Sequence, residues 1–199
     1  MTSPSRVIDF FFGGLDNDGM PLEDKSALWW KKDAATDALV RERFGADVNQ
    51  ALAGERGDWV ETSEQRLALI LLLDQFTRTI FRDTKKAFSG DECARRVALS
   101  GLSRGHDKEL PRIQRVFFYM PLEHAEDAEL QARSVELFSA LCEDTPPHLR
   151  KPFEGYVDFA VAHKRIVERF ARFPHRNAVL GRQSTDEELE FLKQPGSAF

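Results

Sequence analysis

Ionisable side chains occupy inward-facing positions on several predicted helices, and these positions are where chemistry could take place. After the apolar run 67–73, Asp74, Arg78 and Arg82 are spaced i, i+4, i+8 and form one stripe on a helix. Two arginines on one stripe could bind an anion, because each guanidinium offers several donors in a fixed geometry. The structural alternative is an i,i+4 ion pair at the helix end. The spacing favours neither interpretation.

The segment 120–127, MPLEHAED, adds carboxylates and a histidine. On a helical wheel, Glu123 and Asp127 fall on the apolar side of the predicted helix that follows, and His124 flanks that side. Carboxylates that face a core need a cation, a donor or a metal, because an unpaired buried charge is strongly destabilising. The alternative is that these acids stay solvated and interact with the positive end of the helix dipole.

His163 lies on the apolar stripe of a predicted helix over 148–173. A buried histidine is more often a hydrogen-bonded core residue than a catalyst. A role as acid or base gains support only if the imidazole faces a charged partner such as Glu123, Asp127 or Arg78.

The segment 172–182, RFPHRNAVLGR, is a predicted loop rich in polar groups. Its residues His175, Arg176 and Asn177 are typical of binding loops. The structural alternative is that Arg176 and Asn177 tie the loop to helix C-termini through hydrogen bonds to free carbonyl groups.

Most motif-based reaction classes are excluded. The sequence has no HExxH zinc motif, no Walker loop and no GxGxxG after a strand. His124 and Asp127 form one ligand-like pair, where a di-iron bundle needs Glu-x-x-His on two helices. We therefore predict no metal site, and the sequence identifies no cofactor.

Composition indicates an ordinary globular protein. The net charge of −5 gives no overall attraction to nucleic acid or to an anionic membrane. The longest strongly apolar stretch, 67–73, is too short to span a bilayer. Cys93 and Cys142 lie in helical patterns and suggest free thiols in a reducing compartment. We expect one domain over 1–199, located in the cytoplasm.

The pattern predicts helices throughout and no strands. Capping boxes begin at Thr62, Ser89 and Thr185, and Pro121 suits the first position of a helix. The predicted helices cover about 5–12, 34–44, 47–53, 63–81, 91–103, 111–119, 122–143, 148–173 and 186–193.

Three separated strings resemble a known family. They are LDQFTRTIFR at 73–82, PLEHAED at 121–127 and RFPHRNAVLGRQST at 172–185, together with Phe10–Phe12 and the region of Trp29. The chain is similar, nearly end to end, to the mainly bacterial family catalogued as domain of unknown function 924. The resemblance implies a compact all-α fold of about eight or nine helices, a right-handed tetratricopeptide-like superhelix or bundle. It implies no settled activity.

The chain departs from the family's pattern at three positions. Thr77 and Thr79 stand where the family commonly has Pro and Asn, and Ala171 stands where it usually has Gly. The first two departures argue against an essential helix irregularity or an essential Asn contact there, and the third argues against a close backbone approach at Ala171.

Two functional hypotheses follow. In the first, the inward-facing groups converge, Arg78, Arg82 and Arg176 hold a small anionic molecule, and His124 or His163 acts as acid or base. Whether this is an enzyme stays open; if so, we expect hydrolytic or acid–base chemistry without an organic cofactor. In the second, the fold is a tetratricopeptide-like interaction module that binds a peptide partner in a groove.

Overall fold

The computed structural model describes residues 2–198, and these residues contain no strand beyond a single bridge between Leu15 and Pro21. The predicted all-α fold is confirmed, whereas the tetratricopeptide-like arrangement stays a prediction. The α-helices are α1 Pro4–Phe12, α2 Ser26–Trp30, α3 Ala34–Leu52, α4 Ser63–Ile70, α5 Thr77–Ile80, α6 Asp91–Arg104, α7 Arg112–Glu123, α8 Ala128–Glu143, α9 Arg150–Phe170, α10 Asn177–Leu180 and α11 Asp186–Leu192. Short 3-10 turns cover Lys85–Phe88, His106–Glu109, Pro147–Leu149 and Pro174–Arg176.

Residue contacts divide the chain into two compact units. The first unit comprises residues 1–82 and 86–121, and the second comprises 83–85 and 122–199. The expectation of one domain stays a prediction. No helix among residues 2–198 combines the length and the apolar character that crossing a membrane would require.

The helix starts show which local signals were reliable. Thr62 and Gln65 form a reciprocal capping box at the start of α4, and Thr185 and Glu188 form another at α11. The predicted box at Ser89 was wrong. Gly90 is the N-cap of α6 without a side-chain bond, and the Ser89 hydroxyl donates to the carbonyl of Lys86 instead.

The central helix predicted over 63–81 contains a π-helical turn, Leu71–Phe76, between α4 and α5. This turn leaves the carbonyl of Leu73 to accept the Thr77 hydroxyl at 2.7 Å. Gly90 packs against the same carbonyl, and a Cβ atom at Gly90 would lie only 2.1 Å from that oxygen. Single π-turns within helices are frequent at functional sites.

The second correction concerns Pro121. Helix α7 runs through Pro121 to Glu123, so the predicted helix start at 122 was wrong, and α8 begins at Ala128 after the N-cap Asp127. A proline three residues from the helix end removes only one intrahelical hydrogen bond. Gln131 satisfies carbonyl groups at and just beyond this helix end, because its Nε2 donates to the carbonyls of Glu123 and Ala125.

Each unit has its own buried core. In the first unit, aromatic rings cluster where α1 meets the central helix and α7; the ring centroids of Phe11 and Phe117 are 4.8 Å apart. In the second unit, α8 and α9 pack together and bury Phe138, Leu141 and Phe153. The buried faces of both helices also carry polar side chains, and these define the candidate site.

Candidate functional site

The candidate residues fall into the two units separately. Asp74, Arg78 and Arg82 belong to the first unit, and the remaining candidates belong to the second: Glu123, His124, Asp127, His163, His175, Arg176 and Asn177. The convergence of all these groups on one cavity stays a prediction.

In the first unit, Arg78 is held by two carboxylates. Asp74 is fully buried in the π-turn, and its Oδ1 lies 3.1 Å from Nη1 of Arg78. Asp91 binds both terminal nitrogens of Arg78, at 2.8 and 3.0 Å. Burial alone would lower the pKa of Arg78, but Asp74 and Asp91 outweigh it and raise that pKa. The i,i+4 ion pair of the structural alternative is therefore present.

Arg82 has a different partner. Its Nε and Nη2 donate to the two oxygens of Asp37 on α3, both at 2.7 Å. Such a bidentate pair fixes the guanidinium plane and ties α3 to the end of the central helix. The two arginines of the predicted stripe are thus each engaged with their own carboxylates, which supports a structural role for this motif.

In the second unit, His163 contacts Glu123. Glu123 lies in the last turn of α7 and His163 lies on α9; they are 5% and 4% exposed. His163 Nδ1 is 3.1 Å from Oε1 of Glu123 and 2.9 Å from the carbonyl oxygen of Phe159. A carbonyl oxygen can only accept, so Nδ1 carries the hydrogen and Nε2 holds the lone pair.

The surroundings of His163 are electropositive. Burial lowers the pKa of His163 to about 3, and His124, Arg176 and His175 lower it further through their charges, against the opposing bond to Phe159. Burial is the largest of these effects on the pKa. His163 is therefore neutral at pH 7 in the folded chain.

The loop 172–182 brings two more donors to this region. The rings of His175 and Phe173 have centroids 5.6 Å apart, and the Arg176 guanidinium lies 4.4 Å from the Phe173 ring centroid. Burial lowers the pKa of His175 to about 4, and the charge of Arg176 adds to this effect. The ring centroids of His124 and His163 are 6.2 Å apart. Two imidazoles and one guanidinium thus lie close enough to His163 to affect its charge.

The turn 123–125 connects these side chains. Arg176 Nη1 donates to the carbonyl of His124 at 3.0 Å, as the structural alternative for this loop proposed. Gln131, which is fully buried, donates to the carbonyls of Glu123 and Ala125, the residues on either side of His124. Sequence reasoning missed Gln131 because nothing in its spacing distinguishes it from a core position with an amide.

Asp127 and Asn177 have local structural contacts. Asp127 is exposed and caps α8 by accepting from the backbone N–H of Leu130 at 2.9 Å. Asn177 is fully buried, and its Nδ2 donates to the Ser184 hydroxyl and to Glu188. These contacts favour capping and loop anchoring over catalysis for both residues.

Two further ion pairs that sequence reasoning missed hold the loop in place. Arg182 binds both oxygens of Glu126, at 2.6 and 2.8 Å, and Glu126 also accepts from the backbone N–H of Phe173. Arg172 binds Glu188 at 2.6 and 2.8 Å, and these bonds contribute most to lowering the pKa of Glu188 to about 2. Glu126 and Arg182 lie 56 residues apart in the sequence, so the local spacing of residues could not predict this pair.

No group of three or more His, Cys, Asp or Glu side chains within residues 2–198 is arranged to hold a metal ion.

Comparison with known proteins decides the family. Residues 7–196 match the family described as bacterial protein of unknown function DUF924. The chain belongs to this family. A solved structure described as a protein of unknown function, ATU0120 from Agrobacterium tumefaciens, is 38% identical, with 96% of each chain covered and a TM-score of 0.79. A comparison with curated proteins gives no match.

Ala171, at the end of α9, has a backbone conformation that suits glycine better than alanine. Ala171 ends α9 with φ 56° and ψ 10°, in the left-handed region. Glycine is the residue best suited to such a helix end, since it has no Cβ to clash with the backbone.

We therefore expect Ala171→Gly to stabilise the protein by about 1 kcal/mol, measured by chemical denaturation. The matched control is Ala140→Gly, an exposed position inside α8, where the same change should destabilise by about 1 kcal/mol. Equal effects of the same sign at the two positions would contradict a left-handed conformation at Ala171.

Proposed function

We propose that the second unit binds a small anionic molecule beside Glu123, His124, His163, His175 and Arg176, hereafter the histidine cluster. His163 is its proton-transfer group. The observation that carries the proposal is the orientation of the His163 ring, whose Nδ1 lies between Glu123 and a backbone carbonyl. A carboxylate that fixes Nδ1–H leaves Nε2 ready to accept a proton.

The preference for an anion follows from charge. His124, Arg176 and His175 each disfavour a positive charge on His163. The same positive potential attracts a carboxylate or a phosphate, and partial burial strengthens that attraction because water screens it less. Arg176, only 6% exposed, is placed against Phe173 and His124 before any ligand arrives. This preorganisation reduces the entropy lost when a ligand binds.

The proton chemistry depends on the same charges. An anion next to His163 and His175 stabilises their protonated forms and raises both pKa values from about 3 and about 4. Binding therefore takes up protons, and affinity increases as the pH falls. A proton held on Nε2 of His163 could then be donated to the bound molecule, which is the acid half of hydrolytic or acid–base catalysis.

The test is anion binding by the full chain. We expect malonate or inorganic phosphate to raise the melting temperature, with a larger increase at pH 6 than at pH 8. Calorimetry in two buffers of different ionisation enthalpy should show proton uptake on binding. Arg176→Gln should abolish the increase, whereas Arg133→Gln, at an exposed ion pair of α8, should retain it.

Arg176→Gln also removes a hydrogen bond to His124, so its stability without ligand is measured separately. A second variant, His163→Asn, keeps an N–H donor near the position of Nδ1 but cannot titrate. It should still bind the anion while taking up fewer protons. The proposal would be abandoned if neither anion stabilises the wild-type chain, or if the shift does not depend on Arg176. Reproducible binding of a peptide partner in place of these anions would support an interaction module.

A further inference from the structure

A groove in the first unit lies between the start of α1 and the middle of α3. Its volume is about 450 Å³, and its lining includes Ser3, Ser5, Arg6, Asp9, Phe10 and Arg43. Pockets of roughly 300–1,000 Å³ suit small molecules of drug or cofactor size. The groove is formed within the first unit and shares no residue with the histidine cluster of the second unit.

Two arginines give the groove its charge. Arg6 and Arg43 are exposed, and neither forms an ion pair with a carboxylate among residues 2–198. Other arginines of this unit do form ion pairs. Arg56 and Arg82, for example, each bind a carboxylate oxygen at less than 3 Å. The groove therefore presents two guanidinium groups that are not held in ion pairs and that outnumber the single carboxylate of its lining.

The aromatic ring in the groove orients one of these groups. The Arg43 guanidinium lies 5.4 Å from the centroid of the Phe10 ring, within the range of a cation–π contact. Phe10 in turn packs on the buried Phe44, with ring centroids 4.9 Å apart. Arg43 and an apolar ring are thus presented together on a rigid base.

Hydroxyl groups complete the polar side of the groove. The Oγ atoms of Ser3 and Ser5 are 2.9 Å apart, and Ser3 Oγ accepts from the backbone N–H of Arg6 at 3.3 Å. Asp9 adds one carboxylate to the lining. The groove therefore offers two guanidinium groups, two hydroxyl groups, one carboxylate and a partly covered aromatic ring.

We propose that this groove binds a phosphate monoester that carries a flat ring, a ligand of the nucleoside monophosphate class. Arg6, Arg43 and the two hydroxyls contact the phosphate, because guanidinium groups bind phosphate oxygens in pairs. The ring packs along Phe10, and a ring amino group donates to Asp9. This site does not depend on the function proposed for the second unit.

The experiment titrates the full chain with adenosine 5′-monophosphate at low salt, followed by calorimetry and by amide chemical shifts. We expect shift changes around residues 3–10 and 43–44, and an affinity that falls as salt is added. Adenosine, which lacks the phosphate, should bind at least about tenfold more weakly. Inorganic phosphate, which lacks the ring, should also bind more weakly than the nucleotide.

Variants locate the binding. Arg6→Gln and Arg43→Gln should each raise the dissociation constant about fivefold, whereas Arg96→Gln, at an exposed ion pair of α6, should leave it unchanged. Equal binding by wild type and both groove variants would overturn the assignment. So would a loss of nucleotide binding in Arg176→Gln alone, which would place the nucleotide at the histidine cluster.

Discussion

Lowering the pH from 6.5 to 4.5 should reduce the free energy of unfolding by about 3 kcal/mol, because two histidines are kept neutral by the fold. The pKa of His163 falls from 6.5 to about 3 and that of His175 falls from 6.5 to about 4, in both cases mainly through burial. Below pH 6.5 the unfolded chain takes up protons that the folded chain cannot bind until the pH approaches these lower values.

The size of this effect follows from the linkage relation. Each such histidine costs up to about 1.4 kcal/mol per pH unit, so two of them give at most about 5.6 kcal/mol over two units. The histidines of the unfolded chain are already half protonated at pH 6.5, and His175 is only partly buried, which together justify the lower figure. The stability is complete above pH 6.5 and is lost as the pH falls toward 4 and 3.

The measurement is chemical denaturation at several pH values, followed by far-ultraviolet circular dichroism. His163→Asn should remove about half of the pH dependence between 6.5 and 4.5 while keeping a donor toward Glu123. His148→Asn, at an exposed position of the same unit, serves as the control and should leave the dependence intact. A wild-type stability that stays constant over this range would show that His163 and His175 are accessible to protons in the folded chain.

Gly90→Ala should destabilise the first unit by about 3 kcal/mol or more. The added Cβ would lie 2.1 Å from the carbonyl oxygen of Leu73 and 2.9 Å from its carbon. This obstacle is backbone, in the π-turn of the central helix, so no side-chain rotation can relieve it. The π-turn or the start of α6 must move, and such a movement would also disturb the contact of Arg78 with Asp91.

Gly45→Ala is the matched control for this substitution. Gly45 lies inside α3 of the same unit, and its nearest neighbour to an added Cβ is Cγ of Arg41 at 3.7 Å. Alanine there should stabilise by about 0.5–1 kcal/mol through helix propensity. The three tryptophans, Trp29, Trp30 and Trp59, all lie in the first unit and report on its unfolding by fluorescence. A loss below 1 kcal/mol for Gly90→Ala would contradict the close approach to Leu73.

The two units use their charged motifs differently. In the first unit, Arg78 and Arg82 are bound by Asp91 and Asp37, so the conspicuous string 73–82 stabilises the junction of helices. In the second unit, the buried His163 contacts Glu123, and Arg176 and two further histidines disfavour a positive charge on its ring. This difference is the reason for placing the proposed anion site in the second unit and for leaving the first motif out of it.

The sequence by itself determined the helical class, the capping boxes at Thr62 and Thr185, and the inward direction of His163. These features depend on residues a few positions apart, and helical periodicity relates such residues directly. The three strings that resemble DUF924 likewise identified the family from sequence alone. The inward placement of Asp127 was wrong, because the helix wheel that placed it began at 122, whereas α8 begins at Ala128 and Asp127 is its exposed N-cap.

Only the tertiary structure decided which charges are neutralised. The partner of Arg82 lies 45 residues away in the sequence, and the partner of Arg182 lies 56 residues away. The contacts at the end of α7 were also a tertiary result, since Gln131 of the next helix donates to the carbonyls of Glu123 and Ala125. Local periodicity carries no information about such pairs, because their energy arises only when separate helices pack together.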